Sequence, residues 1–276
     1  MSNLRVESAE QAKKNPEYLS ALKALLFQVA DDDFILAFRG SEWLGLAPHI
    51  EEDVAFSSIS QDMMGHAVLF YEMLEELEAG KADDLAQLRK PEEFRNAVLV
   101  ERVNGPGLYL EEPRYDWAYA IVRSYFYSVF KQIRFESLTR SSYLPLKQSA
   151  RKILTEHHYH LLHWRVWMKQ LSNSTEEARS RVKEATERAW EDAGGLFQLG
   201  PEASAMVLYG LIEDEESLTK RWLEQVNKDF EDYGLPPAGG MKATGWNGRA
   251  GEHTPDLAAA LATLSEVYRL DPTARW

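Results

Sequence analysis

Two helical stripes, each carrying histidine among apolar residues, constrain what this chain can fold into. Around Ser60-Gln61-Asp62-Met63-Met64-Gly65-His66, the residues Ile59, Met63, His66, Phe70, Leu74 and Leu77 advance by threes and fours and share one helix face. Around Thr155-Glu156-His157-His158-Tyr159-His160, the residues Leu146, Ala150, Ile153, His157, His160, Trp164 and Leu171 do the same. Long helices with one apolar stripe must bury it against other helices, which predicts a bundle with imidazoles on its inner side. No stretch alternates with period two, and no turn-bounded run of Val, Ile and Thr reads as a strand. The predicted class is all-α.

Taken in order, the first dozen residues are polar and expected to lie loosely on the surface. Asn15-Pro16 is a capped helix start, and the helix runs to about Arg39. Its stripe is Leu19, Leu22, Leu26, Val29, Asp33 and Leu36, so Asp33 is a carboxylate in an aliphatic row. Asp31 and Asp32 fall off that stripe and are expected to be solvated. Gly40 to His49 reads as a link. A second helix covers about 51–79 and is closed by Gly80. A less regular tract with a short helix at Pro91-Glu92-Glu93-Phe94 and a break at Asn104-Gly105-Pro106-Gly107 is long enough to cross the length of a bundle. Helices follow at about 115–140 and 144–171, joined by a short connection that makes them antiparallel. A charged helix starts at Thr175-Glu176-Glu177, and another covers about 213–232. The glycine-rich loop Pro236-Pro237-Ala238-Gly239-Gly240 to Gly251 and a helix from Pro255 to Tyr268 complete the chain. The run Tyr115 to Phe130 is aromatic on more than one face, which predicts burial against the short helices or another subunit.

The spacing holds a repeat. Asp33, Met63 and His66 are followed 94 or 95 residues later by Ser128, His157 and His160. Two helix pairs joined by a long crossover, each presenting an equivalent inward site, form the ferritin-like plan. The expected organisation is one such domain over 1–276, with a core four-helix bundle at about 16–172 and additional helices and the glycine-rich loop at about 173–276. In di-iron bundles of this plan, Glu-x-x-His would stand at the i and i+3 positions that here read Met63/His66 and His157/His160.

Composition narrows the partners. A net charge of −13 argues against nucleic acid and against an anionic membrane surface. The absence of cysteine removes disulfides, thiolate nucleophiles and cysteine metal sites together. The start Met1-Ser2-Asn3-Leu4-Arg5-Val6-Glu7 has no basic region leading into an apolar run, and no stretch is apolar enough for a membrane span. A cytoplasmic protein is expected. The loop around Gly239 to Gly251 lacks the strand–loop–helix context and Lys-Ser/Thr pair of a phosphate cradle.

Several short motifs then add up. Gly40-Ser41-Glu42-Trp43 with Ala47-Pro48, Gln61-Asp62-x-x-Gly65-His66, Glu156-x-x-Tyr159-His160, and the tail Gly251-Glu252-His253-Thr254 ending in Trp276 stand in this order over almost the whole chain. In that order and spacing the chain resembles the phenylacetate-catabolism proteins of ferritin-like fold, in particular the non-catalytic C-subunit type of phenylacetyl-CoA epoxidase. The resemblance implies a structural subunit of a multicomponent monooxygenase that epoxidises the ring of phenylacetyl-CoA. Its partner would be a homologous catalytic subunit holding di-iron, with self-association also open. Carried over position by position, the catalytic pattern of acid, Glu-x-x-His, acid, Glu-x-x-His falls on Asp33, Met63/His66, Ser128 and His157/His160. Four carboxylates are reduced to one.

Two irons facing a single aspartate would leave several positive charges uncompensated in a low-dielectric interior. Asp62 and Glu156 stand one residue early, about 100° away around the helix, and are expected to point at a neighbour or at solvent. These six positions are therefore read as a degenerate di-iron site, with no catalytic residue, metal or cofactor expected in this chain. The alternative is a stand-alone metal-binding oxidase or oxygenase in which Asp33, His66, His157 and His160 hold one zinc or iron. Otherwise the pocket is refilled by hydrogen bonds, Asp33 bonding His66 or His160. His158 and His163 lie off the stripe, as surface or flank residues. Arg249 and His253 are candidate contacts for a partner or a coenzyme A phosphate.

Overall fold

The computed structural model describes residues 4–242 and 244–274; Met1 to Asn3, Ala243, Arg275 and Trp276 lie outside them. Among the described residues there are twelve α-helices and no strand. They are α1 (Ala9–Ala12), α2 (Pro16–Ser41), α3 (Ile50–Glu76), α4 (Ala82–Gln87), α5 (Val98–Glu101), α6 (Trp117–Leu138), α7 (Leu144–Ser172), α8 (Glu176–Ala193), α9 (Ala203–Leu208), α10 (Glu215–Tyr233), α11 (Pro255–Leu264) and α12 (Glu266–Leu270).

Local chemistry sets the ends of the long helices. Asn15 caps α2 by accepting from the Glu17 and Tyr18 amides, with Pro16 in the first turn. Asp116 caps α6, Thr175 caps α8 and Asp214 caps α10. Helix α2 runs two residues past the expected stop and takes in Gly40, where α3 passes close by. A Cβ there would sit 2.3 Å from the Ser60 hydroxyl oxygen. Helix α3 stops earlier than expected, at Glu76, and the left-handed residue after it is Glu78 rather than Gly80 alone. The last helix is broken at Ser265 into α11 and α12.

Helices α2 and α3 form one hairpin and α6 and α7 the other, with the tract through α4 and α5 crossing between them. Contacts run in opposite residue order: Asp33 meets Tyr127 and Asp32 meets Arg134 between α2 and α6, while Asp62 meets His160 and His66 meets Glu156 between α3 and α7. Both cross-hairpin pairs are therefore antiparallel, and the four helices close into a bundle. The all-α ferritin-like expectation holds. The remaining helices are packed onto it: α8 and α10 against α6, α9 and α5 against α2.

That packing answers the aromatic question raised by α6. Its outer face is covered within the chain, where Phe126 meets Trp190, Trp222 and Phe230 edge-on or tilted and Phe130 meets Phe197. Trp222 donates its indole N–H to the Phe126 carbonyl, so the buried polar edge is satisfied. Among the described residues, the segment from Val6 to Ala12 is tied down rather than loose. Val6 pairs in a single bridge with Tyr143, and Ser8 caps α1.

Candidate functional site: the inward pocket of the bundle

The run Asp31-Asp32-Asp33 departs most from expectation. All three are completely buried, where the first two were expected in solvent. Successive residues point about 100° apart around a helix, and α2 is covered on every side, so each carboxylate needs its own partner. Asp31 accepts from the Tyr71 hydroxyl at 2.6 Å and the Arg95 amide at 2.7 Å, and is forked by Arg89. Asp32 accepts from Arg134 at 2.9 Å, from both Arg249 amino groups at 2.8 Å and from the Ala97 amide. Asp33 takes Lys131 and Tyr127. Arg249, read as a possible partner contact, is thus sealed inside the protein. Likewise His253 is held by the buried Glu101 at 2.7 Å, and Glu101 also accepts from the Thr254 amide and hydroxyl. Neither residue is free for a coenzyme A phosphate.

Of the six inward positions, Asp33 and His66 are brought together, but by a residue that the sequence pattern did not single out. Lys131, on α6 and only 1% exposed, places its ammonium 2.7 and 2.6 Å from the two Asp33 oxygens and 3.1 Å from His66 Nδ1. Its three N–H donors are all used. The Tyr127 hydroxyl donates to Asp33 at 2.7 Å. Asp33 and His66 themselves are 3.9 Å apart, so the direct hydrogen bond expected between them, or between Asp33 and His160, is replaced by one through Lys131. The available signal was spacing, since Lys131 lies one turn after Tyr127 and Ser128 on α6.

Asp62 and Glu156 also do more than face solvent. His66 donates Nε2–H to Glu156 at 2.9 Å, and His160 donates Nε2–H to Asp62 at 2.9 Å, each carboxylate coming from the opposite hairpin. Half-exposed themselves, they fix the imidazole tautomers of buried partners, as outer carboxylates do for metal-bound histidines. His157 donates Nε2–H to the Ser128 carbonyl at 2.8 Å. The Nδ1 atoms of His157 and His160 are buried without a hydrogen-bond partner. Met63 and Ser128 line a void of about 20 Å³, room for little more than one water. His158 is exposed, and His163 flanks the bundle 3.2 Å from Glu52.

Burial holds all three inward histidines below the usual imidazole range, with the Lys131 charge acting in the same direction. His160 is partly compensated by its bond to Asp62. Burial likewise pushes the Asp33 carboxyl up and the Lys131 ammonium down, each opposed by the other's charge. These directions keep the imidazoles neutral and set the Asp33 carboxyl and the Lys131 amine against each other as a mutually dependent pair.

A pair of irons does not fit this donor set. Met63 and Ser128 supply no charge, His157 is engaged with a backbone carbonyl, and an ammonium already lies against Asp33 and His66. Among the described residues, no group of three or more His, Asp or Glu side chains is arranged to hold a metal ion.

The sequence matches the family model described as phenylacetic acid catabolic protein along residues 1–276. The chain belongs to that family. Among curated proteins it is similar to the C subunit of 1,2-phenylacetyl-CoA epoxidase from Escherichia coli strain K12, with 29% identity over 260 residues that cover 94% of this chain and all of the relative. For this family member, the resemblance motifs acquire structural reasons. Glu42 pairs with Arg39 and accepts from Asn104, Trp43 packs edge-on to Trp117 and Tyr115, and Gly251 adopts φ 87° against the Glu92 carbonyl. No helix among the described residues is long and apolar enough to cross a membrane.

Proposed function

We propose that this chain is the structural, non-catalytic subunit of a cytoplasmic phenylacetyl-CoA epoxidase in aerobic phenylacetate degradation. It pairs with a homologous subunit that holds the di-iron centre and performs the ring epoxidation. The observation that carries this reading is the ammonium of Lys131 bonded to both Asp33 oxygens and to His66, in a pocket whose other carboxylate positions are Met63, Ser128 and His157. Such a pocket has no carboxylate at three of the four family positions, an ammonium where a cation would stand and no volume for an aromatic substrate.

The bundle's open face supports a partner. Helices α2 and α6 are covered by the chain's own C-terminal and crossover helices, whereas α3 and α7 leave Ile50, Val54 and Val68 beside Tyr159, Leu162 and Val166 exposed. Gly65 sits among them in mid-helix, and a Cβ there would meet nothing within 4 Å. Glycine in a helix interior costs about 1 kcal/mol relative to alanine, and no contact among the described residues accounts for it. Close approach of a helix from the homologous subunit would.

The competing reading, an oxidase built on Asp33, His66, His157 and His160, requires those side chains to share one ion. The test is co-expression with the homologous di-iron subunit. Expected are a stable complex, substrate-dependent oxygen consumption by the pair and by neither chain alone when an external electron donor is supplied, and iron content unaltered by His160→Ala in this chain. Metal and oxygen consumption from this chain by itself, both lost in His160→Ala, would overturn the proposal.

A further inference from the structure

Lys131 occupies the place of a cation, not merely a gap in the core. Its ammonium lies between Asp33 Oδ2 and His66 Nδ1, which are 3.9 Å apart. Two ligands on one tetrahedral metal at bond lengths of about 2.1 Å stand about 3.4 Å apart. Around it, the Nε2–H groups of His66 and His160 are anchored outward by Glu156 and Asp62, and that of His157 by the Ser128 carbonyl. This leaves the Nδ1 lone pair as the free donor on all three rings. That of His66 is taken by Lys131, while those of His157 and His160 are buried with no partner. An aspartate and three neutral imidazoles presenting Nδ1 are suitable first-row metal ligands.

We propose that Lys131 is a built-in replacement for a metal ion and that its removal converts the pocket into a site for a single divalent cation. Asp33 and His66 would be the two fixed ligands, with His160 or His157 turning inward as the third. The exchange is charge-conservative in direction. Removing a buried ammonium leaves Asp33 as an uncompensated buried carboxylate, and a cation of the same sign restores the balance. Wild-type protein, by contrast, must place a second cation against Lys131 to bind metal, and so stays metal-poor.

The experiment titrates purified Lys131→Ala with Co2+, followed by the visible ligand-field spectrum and by metal content after desalting. Wild-type protein and Lys131→Ala/Asp33→Asn serve as controls. About one equivalent bound by Lys131→Ala, with little retained by either control, supports the proposal. A folded Lys131→Ala that binds no Co2+, or wild-type protein that binds it equally well, overturns it. Should Lys131→Ala fail to fold without metal, Lys131→Gln keeps a neutral donor to Asp33. A Co2+-dependent rise in the melting temperature of Lys131→Gln counts in favour, and no rise counts against. The assay uses this chain alone, so its failure leaves the proposed pairing intact, and loss of pairing leaves the cation exchange intact.

Discussion

Three consecutive aspartates, each fully buried on a different side of one helix, put the heaviest demand on this molecule. Each is neutralised by a side chain distant in sequence: Asp31 by Arg89, Asp32 by Arg134 and Arg249, Asp33 by Lys131. Breaking a buried pair from one side leaves an unpaired charge, at about 3–5 kcal/mol. Arg249→Met is therefore expected to lower the unfolding free energy by about that amount in urea titrations, with part recovered in Arg249→Met/Asp32→Asn. An unchanged midpoint would mean that Arg134 suffices for Asp32. The inward histidines add a pH dependence. Around His157 stand the Lys131 ammonium from α6 and the imidazoles of His160 and His158 on its own helix, and burial holds it neutral well below 6.5. The unfolded chain has ordinary histidines, so above about pH 6.5 neither state binds these protons and nothing changes. Below that value the unfolded state takes them up and the folded state does not, so stability falls with falling pH, by up to about 1.4 kcal/mol per pH unit for each of His66, His157 and His160. His157→Gln, which can still donate to the Ser128 carbonyl, should flatten the slope by up to about 1.4 kcal/mol per pH unit in denaturant titrations from about pH 7 to about pH 5.5. An identical slope in wild type and variant would count against the buried neutral imidazole.

The helices themselves were largely legible in the sequence, because their signals are local. Asn15-Pro16 and Thr175-Glu176-Glu177 mark starts, and the period of 3.6 through Met63, His66 and Phe70 or His157, His160 and Trp164 marks the buried side correctly. What could not be read was the pairing of charges across the bundle. Asp31 looks the same in sequence whether it faces water or Arg89, and Lys131 is one cation among many until α6 is laid against α2. Asp62 and Glu156 were rightly excluded from the inner stripe by angle, yet a carboxylate at the edge still reaches the neighbouring helix's histidine. The α3/α7 face leaves Ile50, Val54, Val68, Tyr159, Leu162 and Val166 exposed. Gly65→Ala should raise the stability of the isolated chain by roughly 0.5–1 kcal/mol, since its added methyl meets open space. Gly65→Phe and Val54→Asp/Val166→Asp should leave thermal unfolding of the isolated chain nearly unchanged while abolishing co-purification with the homologous subunit. Intact pairing in both would move the interface elsewhere.

At the scale of the whole chain, the C-terminal third decides whether the bundle can exist alone. Residues after Ser172 supply Trp190, Phe197, Trp222 and Phe230 over the outer face of α6, the second cation for Asp32, and His253 and Thr254 for Glu101. A bundle ending at Ser172 would uncover Tyr125, Phe126 and Phe130 of α6, at about 1.5–3 kcal/mol for each large apolar side chain taken out of its packing. The net stability of a domain is about 5–15 kcal/mol. The truncated chain 1–172 is therefore expected to be recovered insoluble, or as a helical but loosely packed species that binds a hydrophobic dye and melts without a sharp transition. Circular dichroism with calorimetry separates the cases, because far-ultraviolet helicity can survive where a cooperative heat-absorption peak does not. A soluble 1–172 fragment with a sharp calorimetric transition would show that the four helices close their own core. The later helices would then be an attachment, and α6 would offer an aromatic face of its own to a partner.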